Sequence, residues 1–225
     1  DIVKISKITF TNPKKNELIV FDDYSLRDLM NVLDNRNYFL LISRASRNKI
    51  IFITPTIILK ILQNLKKNLF TSYLIALIEV IKPKAVITSI DNSFKFHIIA
   101  KHFHSKDIKF IGVQNAARYD FIEHEFALKH KKINKNPCEN FYVPYYFCYS
   151  SYEEKEIRKR GFYVKKFLKY GSIRLSNYLK YIKKNNVKIR HNYYDISVLS
   201  GYSVDKDKFF KIKGMDEKWA INIKY

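Results

Sequence analysis

Short apolar runs alternate with segments of helical spacing along most of the chain. The runs that predict strands are Glu17–Phe21, Tyr38–Ser43, Ala85–Ile90, Lys109–Gln114 and Tyr145–Tyr149. They are almost continuously apolar, which is typical of parallel strands that are buried on both faces. The predicted helices are Leu26–Leu33 with Ser25 as N-cap, a helix that begins near Pro55, Thr71–Ile81 and a helix with Phe96, Ile99, Ala100 and Phe103 on one face. This alternation predicts a doubly wound, mostly parallel, Rossmann-like α/β sheet.

The later part of the chain continues the pattern and then changes. Lys49–Thr54 is a strand or the entry to the next helix, and a short helix after Ser150 has Gly161 as its C-cap. The segment "KKFLKYGSIRLSNYLKYIKK" predicts a strand, a turn and a helix, and a charged linker then precedes "YDISVLSGY", the first strand of a new sheet. We therefore expect a Rossmann-like domain over residues 1–182. We expect residues 183–225 to form a linker and the incomplete start of a second domain.

The charge and composition of the chain limit the classes of partner that it can be expected to bind. With 47% hydrophobic residues the chain can form a core, and its net charge of +21 attracts phosphate-rich partners such as anionic lipids, sugar phosphates or nucleic acid. The sequence has no zinc-finger spacing and no aromatic RNA-binding motif, so nucleic acid is not the expected partner. A solvated lysine surface explains the charge equally well. The two cysteines fit a reduced compartment, and we expect a cytoplasmic protein.

Polar side chains follow two consecutive predicted strands. Asp91 and Asn92 follow the first strand, and Gln114, Asn115 and Arg118 follow the second. The carboxyl ends of parallel strands meet at the sheet edge where ligands bind. A carboxylate there can act as nucleophile, base or hydroxyl acceptor, and amides suit sugar hydroxyls. The alternatives are that Asp91 or Asn92 caps the next helix, that Asn115 serves a turn, and that Arg118 forms a surface ion pair.

Metal and cofactor signals are weak. His97 and His102 are five residues apart and do not share a helix face well, so we expect a surface helix rather than a metal site. Cys138 and Cys148 have no ligand spacing. The single glycine in Gly171-Ser172-x-Arg174 predicts an ordinary turn or an interdomain hinge rather than a phosphate loop. We expect neither a metal nor a cofactor.

Three stretches resemble a known family. A strand ending in Thr-x-x-Asp-Asn, a helix and "KFIGVQNAAR" resemble the surface-carbohydrate biosynthesis transferases, bacterial proteins related to retaining β-Kdo glycosyltransferases. Those relatives typically have Phe-Ile-x-x-Gln-Asn-Gly and then Arg, whereas Ala116 replaces the glycine here. "FLKYGSIRLSNY" resembles their crossing segment, and "YDISVLSGYS" resembles the start of their second domain. The resemblance extends from about Glu17 onward.

The resemblance implies a GT-B architecture, with acceptor and catalytic groups on the first domain and a nucleotide sugar such as CMP-Kdo on the second. Asp91 matches the implied nucleophile. The substrate-binding candidates are Asn92, Gln114, Asn115, Arg118, Ser172 and Arg174. A saccharide or lipid-linked saccharide is the implied acceptor, at the inner face of the cytoplasmic membrane. Because most of the second domain is missing, we expect this chain alone to be inactive. The alternative is a non-catalytic basic module that binds phosphate-rich ligands or nucleic acid.

Overall fold

The computed structural model describes residues 7–33, 36–43, 50–65, 68–115, 141–159 and 162–186. The strands are β1 (Lys7–Thr9), β2 (Leu18–Phe21), β3 (Phe39–Leu41), β4 (Ile50–Phe52), β5 (Ala85–Thr88), β6 (Lys109–Val113), β7 (Tyr145–Cys148) and β8 (Lys166–Lys169). The helices are α1 (Asp23–Leu33), α2 (Pro55–Gln63), α3 (Leu69–Ile81), α4 (Phe94–His102), α5 (Ser151–Lys159) and α6 (Ile173–Lys184).

Six strands form one parallel sheet in the order β3-β2-β5-β6-β7-β8. The chain moves from β2 outward to β3, returns past β2 to β5, and then continues in the opposite direction. The order therefore reverses between β2 and β5, and in such sheets ligands bind beyond the carboxyl ends of the strands at that switch point. The segment Lys49–Thr54 does contain a strand, but β4 pairs with β1 in a separate two-stranded sheet.

Helices cover both faces of the six-stranded sheet, which confirms the doubly wound α/β fold. One face packs against α2, α3, α4 and α5, and its buried residues include Phe21, Ile57, Leu74, Ile78, Phe96, Phe110 and Ile157. The other face packs against α1 and α6 through Val20, Leu29, Leu33, Ile87, Val113 and the partly buried Ile173. Because both faces are covered, the last three residues of β2 and of β5 are buried, and both strands are apolar at nearly every residue.

Two predictions from local sequence were wrong. Ser25 is not the N-cap of α1, because the helix already begins at Asp23. The buried Ser25 hydroxyl instead lies 3.1 Å from Thr88 Oγ1 and accepts a hydrogen bond from Ser89 N at 2.9 Å. His97 is not on a surface helix face, since it is buried with its ring 4.9 Å from that of Phe141.

The chain divides into two compact units, residues 1–186 and 187–225. The second unit lies outside the described residues, as do Arg118, Gly161, the loop predicted over 123–140 and the strand predicted over 194–202. Helix α6 ends at Lys184, two residues beyond the domain boundary expected from the sequence. Among the helices in the described ranges, none combines the length and apolar character needed to cross a membrane.

Candidate functional site

Buried polar side chains are concentrated at the carboxyl edge of the six-stranded sheet. They end β5, follow β2, β3, β5 and β6, or lie in the first two turns of α1, and they are Asp22, Ser25, Asp28, Ser43, Thr88, Ser89, Asp91 and Gln114. Burying polar groups costs free energy unless they find partners, so a fold keeps such a cluster only where its hydrogen bonds or its chemistry require it.

Asp91 lies at this edge, at the beginning of the turn that leads into α4. The parallel register pairs Thr88 with Gly112, so Asp91 and Gln114 follow adjacent strands at the same edge, as predicted. The Asp91 side chain is buried, with 5% of the residue exposed, and the Tyr146 hydroxyl donates a hydrogen bond to its Oδ2 atom. This bond comes from β7, two strands away from β5 in the sheet, and it orients the carboxylate.

The N-cap of α4 is Ser93, whose hydroxyl accepts a hydrogen bond from Phe96 N at 3.4 Å. The alternative that Asp91 or Asn92 caps this helix is therefore wrong. Asn92 is exposed in the turn. Asp91 thus does not cap the helix, and the hydrogen bond from Tyr146 holds it at the edge of the sheet.

Gly112 makes room for Tyr146. The two residues are paired across β6 and β7, and a Cβ atom at position 112 would lie 2.8 Å from Val143 Cγ1 and 3.1 Å from Tyr146 Cδ2. A contact of 2.8 Å is shorter than carbon atoms tolerate, and one of 3.1 Å requires the neighbouring side chain to shift by a few tenths of an ångström. Glycine inside a buried strand is a sequence signal for such a close approach, and it points to Tyr146, which the sequence analysis did not select.

Asp22 occupies the switch point, directly after β2. It is fully buried with a φ of 73°, a left-handed conformation that is uncommon outside glycine. Its carboxylate accepts hydrogen bonds from Ser43 N at 2.8 Å and from Ser43 Oγ at 2.7 Å. Strained backbone held by its surroundings is frequent at ligand sites. The sequence signal was an acid directly after a buried strand, the same signal that identified Asp91.

The two amide candidates that follow β6 have different environments. Gln114 is buried, and its Oε1 accepts a hydrogen bond from Tyr149 N at 3.0 Å, which fixes the end of β7 beside β6. Asn115 is half-buried, and its inaccessible Oδ1 has no hydrogen-bond partner among the described residues. Asn115 therefore brings an acceptor atom to the carboxyl edge. The side-chain amide of the preceding Gln114, by contrast, already makes a structural hydrogen bond.

Ser172 and Tyr149 connect α6 to this edge. The Ser172 hydroxyl caps α6 by accepting a hydrogen bond from Leu175 N at 3.3 Å. It also interacts with the Tyr149 side chain. Burial raises the pKa of Tyr149, the interaction with Ser172 opposes this shift, and the charge of Asp91 raises it further. The Tyr149 hydroxyl thus lies within electrostatic range of Asp91, and the phenol is neutral at physiological pH.

Arg174 forms an ion pair with Asp28. Its Nε and Nη2 atoms donate hydrogen bonds to Asp28 Oδ2 at 3.0 and 2.8 Å. The hydrogen bond with Asp28 raises the pKa of Arg174, although burial opposes the shift. Asp28 is buried and the guanidinium is half-exposed, so the pair ties α6 to α1 and leaves one side of Arg174 open to solvent. A substrate role for Arg174 stays a prediction.

Within the described ranges, no group of three or more His, Cys, Asp or Glu side chains is arranged to hold a metal ion. Comparison of the chain with models of protein families, with curated proteins and with solved structures found no match. The geometry of the edge around Asp91 is therefore the basis for a functional assignment.

Proposed function

We propose that this chain is the acceptor-side domain of a bacterial glycosyltransferase of surface polysaccharide synthesis, with Asp91 as its reacting carboxylate. The observation that carries the proposal is the placement of Asp91. It is buried at the carboxyl edge, next to the switch point, and is held by Tyr146 rather than used as a helix cap. Ligands of open α/β sheets bind at this edge. The reaction class, transfer of a sugar from a nucleotide donor, is inferred from the resemblance of residues 88–92 and 109–118 to Kdo transferases.

The proposed reaction is a double displacement. An Asp91 carboxylate oxygen attacks the anomeric carbon of the donor sugar, and the nucleotide phosphate leaves with the bonding electron pair. An acceptor hydroxyl then attacks the same carbon from the opposite side, releases Asp91 as carboxylate and loses its proton to solvent. Two inversions retain the configuration. The hydrogen bond from Tyr146 orients the Asp91 carboxylate for the first attack.

The neighbouring polar groups suit a saccharide acceptor. Asn115 offers a buried amide oxygen that has no hydrogen-bond partner within the described part of the chain, and a sugar hydroxyl is a donor of suitable size. In the GT-B arrangement that the resemblance implies, the second domain would bring the nucleotide sugar, such as CMP-Kdo, to this edge. We place the reaction at the inner face of the cytoplasmic membrane, where a lipid-linked saccharide would present its acceptor hydroxyl.

The transfer assay uses the protein that carries both domains of the implied architecture. Asp91→Asn should reduce sugar transfer by roughly a thousandfold or more, because a carboxamide is a far weaker nucleophile than a carboxylate. The melting temperature of the same sample should change little, since the side chains are nearly isosteric. Asp107→Asn, at an exposed position in the same β-α-β unit, is the matched control and should transfer like wild type. Wild-type turnover in Asp91→Asn would contradict the proposal.

A further inference from the structure

The ammonium group of Lys95 lies at the switch point of the sheet. Lys95 is in the first turn of α4, the helix that follows β5, and its Nζ atom donates a hydrogen bond to the Ser43 carbonyl at 3.1 Å. Ser43 follows β3, and the sheet order places β2 between β3 and β5. The lysine side chain therefore connects the carboxyl ends of β5 and β3 and passes the boundary between β2 and β5, where open α/β sheets bind ligands.

The surroundings of Lys95 hold this ammonium group without neutralising its charge. The centroid of the Phe70 ring lies 4.7 Å from Nζ, a distance typical of a cation–π contact. An ammonium group has three N–H donors, and the Ser43 carbonyl accepts one of them. None of the ion pairs between described residues includes Lys95. Lys95 thus presents a partly buried positive charge that has no carboxylate partner within the described part of the chain.

The start of α4 adds positive potential at the same place. The N-terminal end of a helix carries the positive end of its dipole, which favours anions and disfavours a lysine in the first turn. Lys95 occupies the second position of α4, so two positive features that repel each other coincide at the switch point. A negatively charged ligand would relieve this repulsion and accept a hydrogen bond from the Lys95 ammonium group.

The acidic side chains of this edge already have donors of their own. Asp22 accepts hydrogen bonds from Ser43 N and Oγ at 2.8 and 2.7 Å, and Asp91 accepts one from the Tyr146 hydroxyl. Lys95 is partly exposed, whereas Asp22 has no exposed surface. A ligand that enters the edge beside β2 therefore meets the ammonium group of Lys95 before it meets the carboxylate of Asp22.

We propose that Lys95 and the first turn of α4 bind a phosphate group. One part of this proposal rests on the proposed function: the phosphate is that of the nucleotide-sugar donor. When Asp91 attacks the anomeric carbon, the bond from that carbon to the phosphate oxygen breaks, and the oxygen keeps the electron pair. The Lys95 ammonium donates a hydrogen bond to the departing phosphate and stabilises the negative charge that develops there.

The test is a titration of the full chain with inorganic phosphate and with cytidine monophosphate, followed by the NMR shifts of backbone amides. Both ligands should shift the amides of Ser43, Phe94 and Lys95. Lys95→Met keeps most of the side-chain length but removes the charge. It should weaken phosphate binding about tenfold or more, because a charge-assisted hydrogen bond is lost.

The matched control is Lys106→Met. Lys106 is exposed in the loop before β6, at the amino end of the sheet, and its substitution removes the same charge from the chain. The control should bind phosphate like wild type. Equal losses in the two variants would show that phosphate responds to the net charge of the surface, and they would overturn the proposal.

Thermal unfolding separates phosphate binding from a purely structural role of Lys95. Phosphate should raise the melting temperature of wild type and of Lys106→Met and leave that of Lys95→Met unchanged, because a ligand stabilises only the protein that binds it. The comparison uses the shift that phosphate produces in each protein, so a lower starting temperature of Lys95→Met does not enter it. A wild-type protein that responds to phosphate in neither melting temperature nor amide shifts would overturn the proposal and assign Lys95 to tethering α4 to Ser43.

Sugar transfer by the protein that carries both domains tests the assignment of the phosphate to the donor. Lys95→Met should lower kcat about a hundredfold at saturating donor and acceptor, because the lost hydrogen bond acts on the departing phosphate. An unchanged kcat with a raised KM for a phosphate-bearing acceptor would overturn this assignment and place the phosphate on the acceptor. Phosphate binding by the chain requires neither a sugar nor Asp91, so its failure would leave the proposed reaction at Asp91 untouched, and absence of transfer would leave phosphate binding intact.

Discussion

Gly112→Ala tests whether close packing between β6 and β7 positions Tyr146. The added Cβ would lie 2.8 Å from Val143 Cγ1 and 3.1 Å from Tyr146 Cδ2, where carbon atoms normally approach to about 3.5 Å. Val143 and Tyr146 are both buried, so neither side chain moves away freely. Overpacking of this kind costs about 1–3 kcal/mol of unfolding free energy. A loss of about 2 kcal/mol corresponds to a melting temperature lower by roughly 4–8 °C.

Urea denaturation followed by circular dichroism measures the free energy of unfolding. Val143→Ala in the Gly112→Ala background should recover part of the loss, because it removes the methyl group at 2.8 Å. The same Val143→Ala substitution in wild type should destabilise the protein, because it leaves a cavity. Val143→Ala should therefore raise the free energy of unfolding in the Gly112→Ala background and lower it in wild type. These opposite signs would identify the contact between positions 112 and 143. A Gly112→Ala protein within about 0.5 kcal/mol of wild type would refute the reasoning, since that is the range of neutral surface changes.

Three further results are expected. Arg174→Ala should lower the free energy of unfolding by about 1–3 kcal/mol in urea denaturation, because buried Asp28 loses its ion pair; no loss would contradict this. The hydrogen bond with Arg158 lowers the pKa of Glu154, so its stabilising effect is present above the ordinary carboxyl pKa and is lost as the pH falls. Glu154→Gln should therefore be less stable than wild type at neutral pH and equal to it in acid, and a pH-independent difference would argue against the assignment. Burial raises the pKa of the Cys148 thiol, so peptide mass spectrometry should find slower alkylation by iodoacetamide in the native than in the unfolded protein, and equal rates would count against it.

The fold was predictable because burial on both faces leaves a strong signal in the sequence. Strands β5 and β6 are apolar at nearly every position, and a helix of suitable length separates them, so a parallel crossover was the expected connection. The role of Ser25 could not be predicted from the local sequence. A serine before an apolar helical pattern is a good N-cap candidate, but contacts with Thr88 and Ser89, more than 60 positions away in sequence, determine its actual role.

The candidate site was predictable only in part. The edge position of Asp91 and Gln114 follows from strand order alone, and it was correct. Their partners depend on strand register and helix packing, which a single sequence does not specify. Tyr146 is 55 positions from Asp91, and Asp28 is 146 positions from Arg174. His97 was misjudged for the same reason, since the buried face of α4 extends to it next to Phe96.

Saccharide binding at the carboxyl edge is the central claim, and an NMR titration of this chain with a Kdo-terminated oligosaccharide tests it most directly. We expect shifts confined to the backbone amides of Ser89, Asp91 and Asn115 that persist as salt is raised, because the sugar hydroxyls, unlike the single Kdo carboxylate, are recognised by hydrogen bonds rather than by ion pairs. Asp91→Asn should weaken these shifts, and Asp107→Asn should leave them unchanged. Shifts spread over the basic surface that vanish with added salt would contradict the claim and favour a module for phosphate-rich ligands.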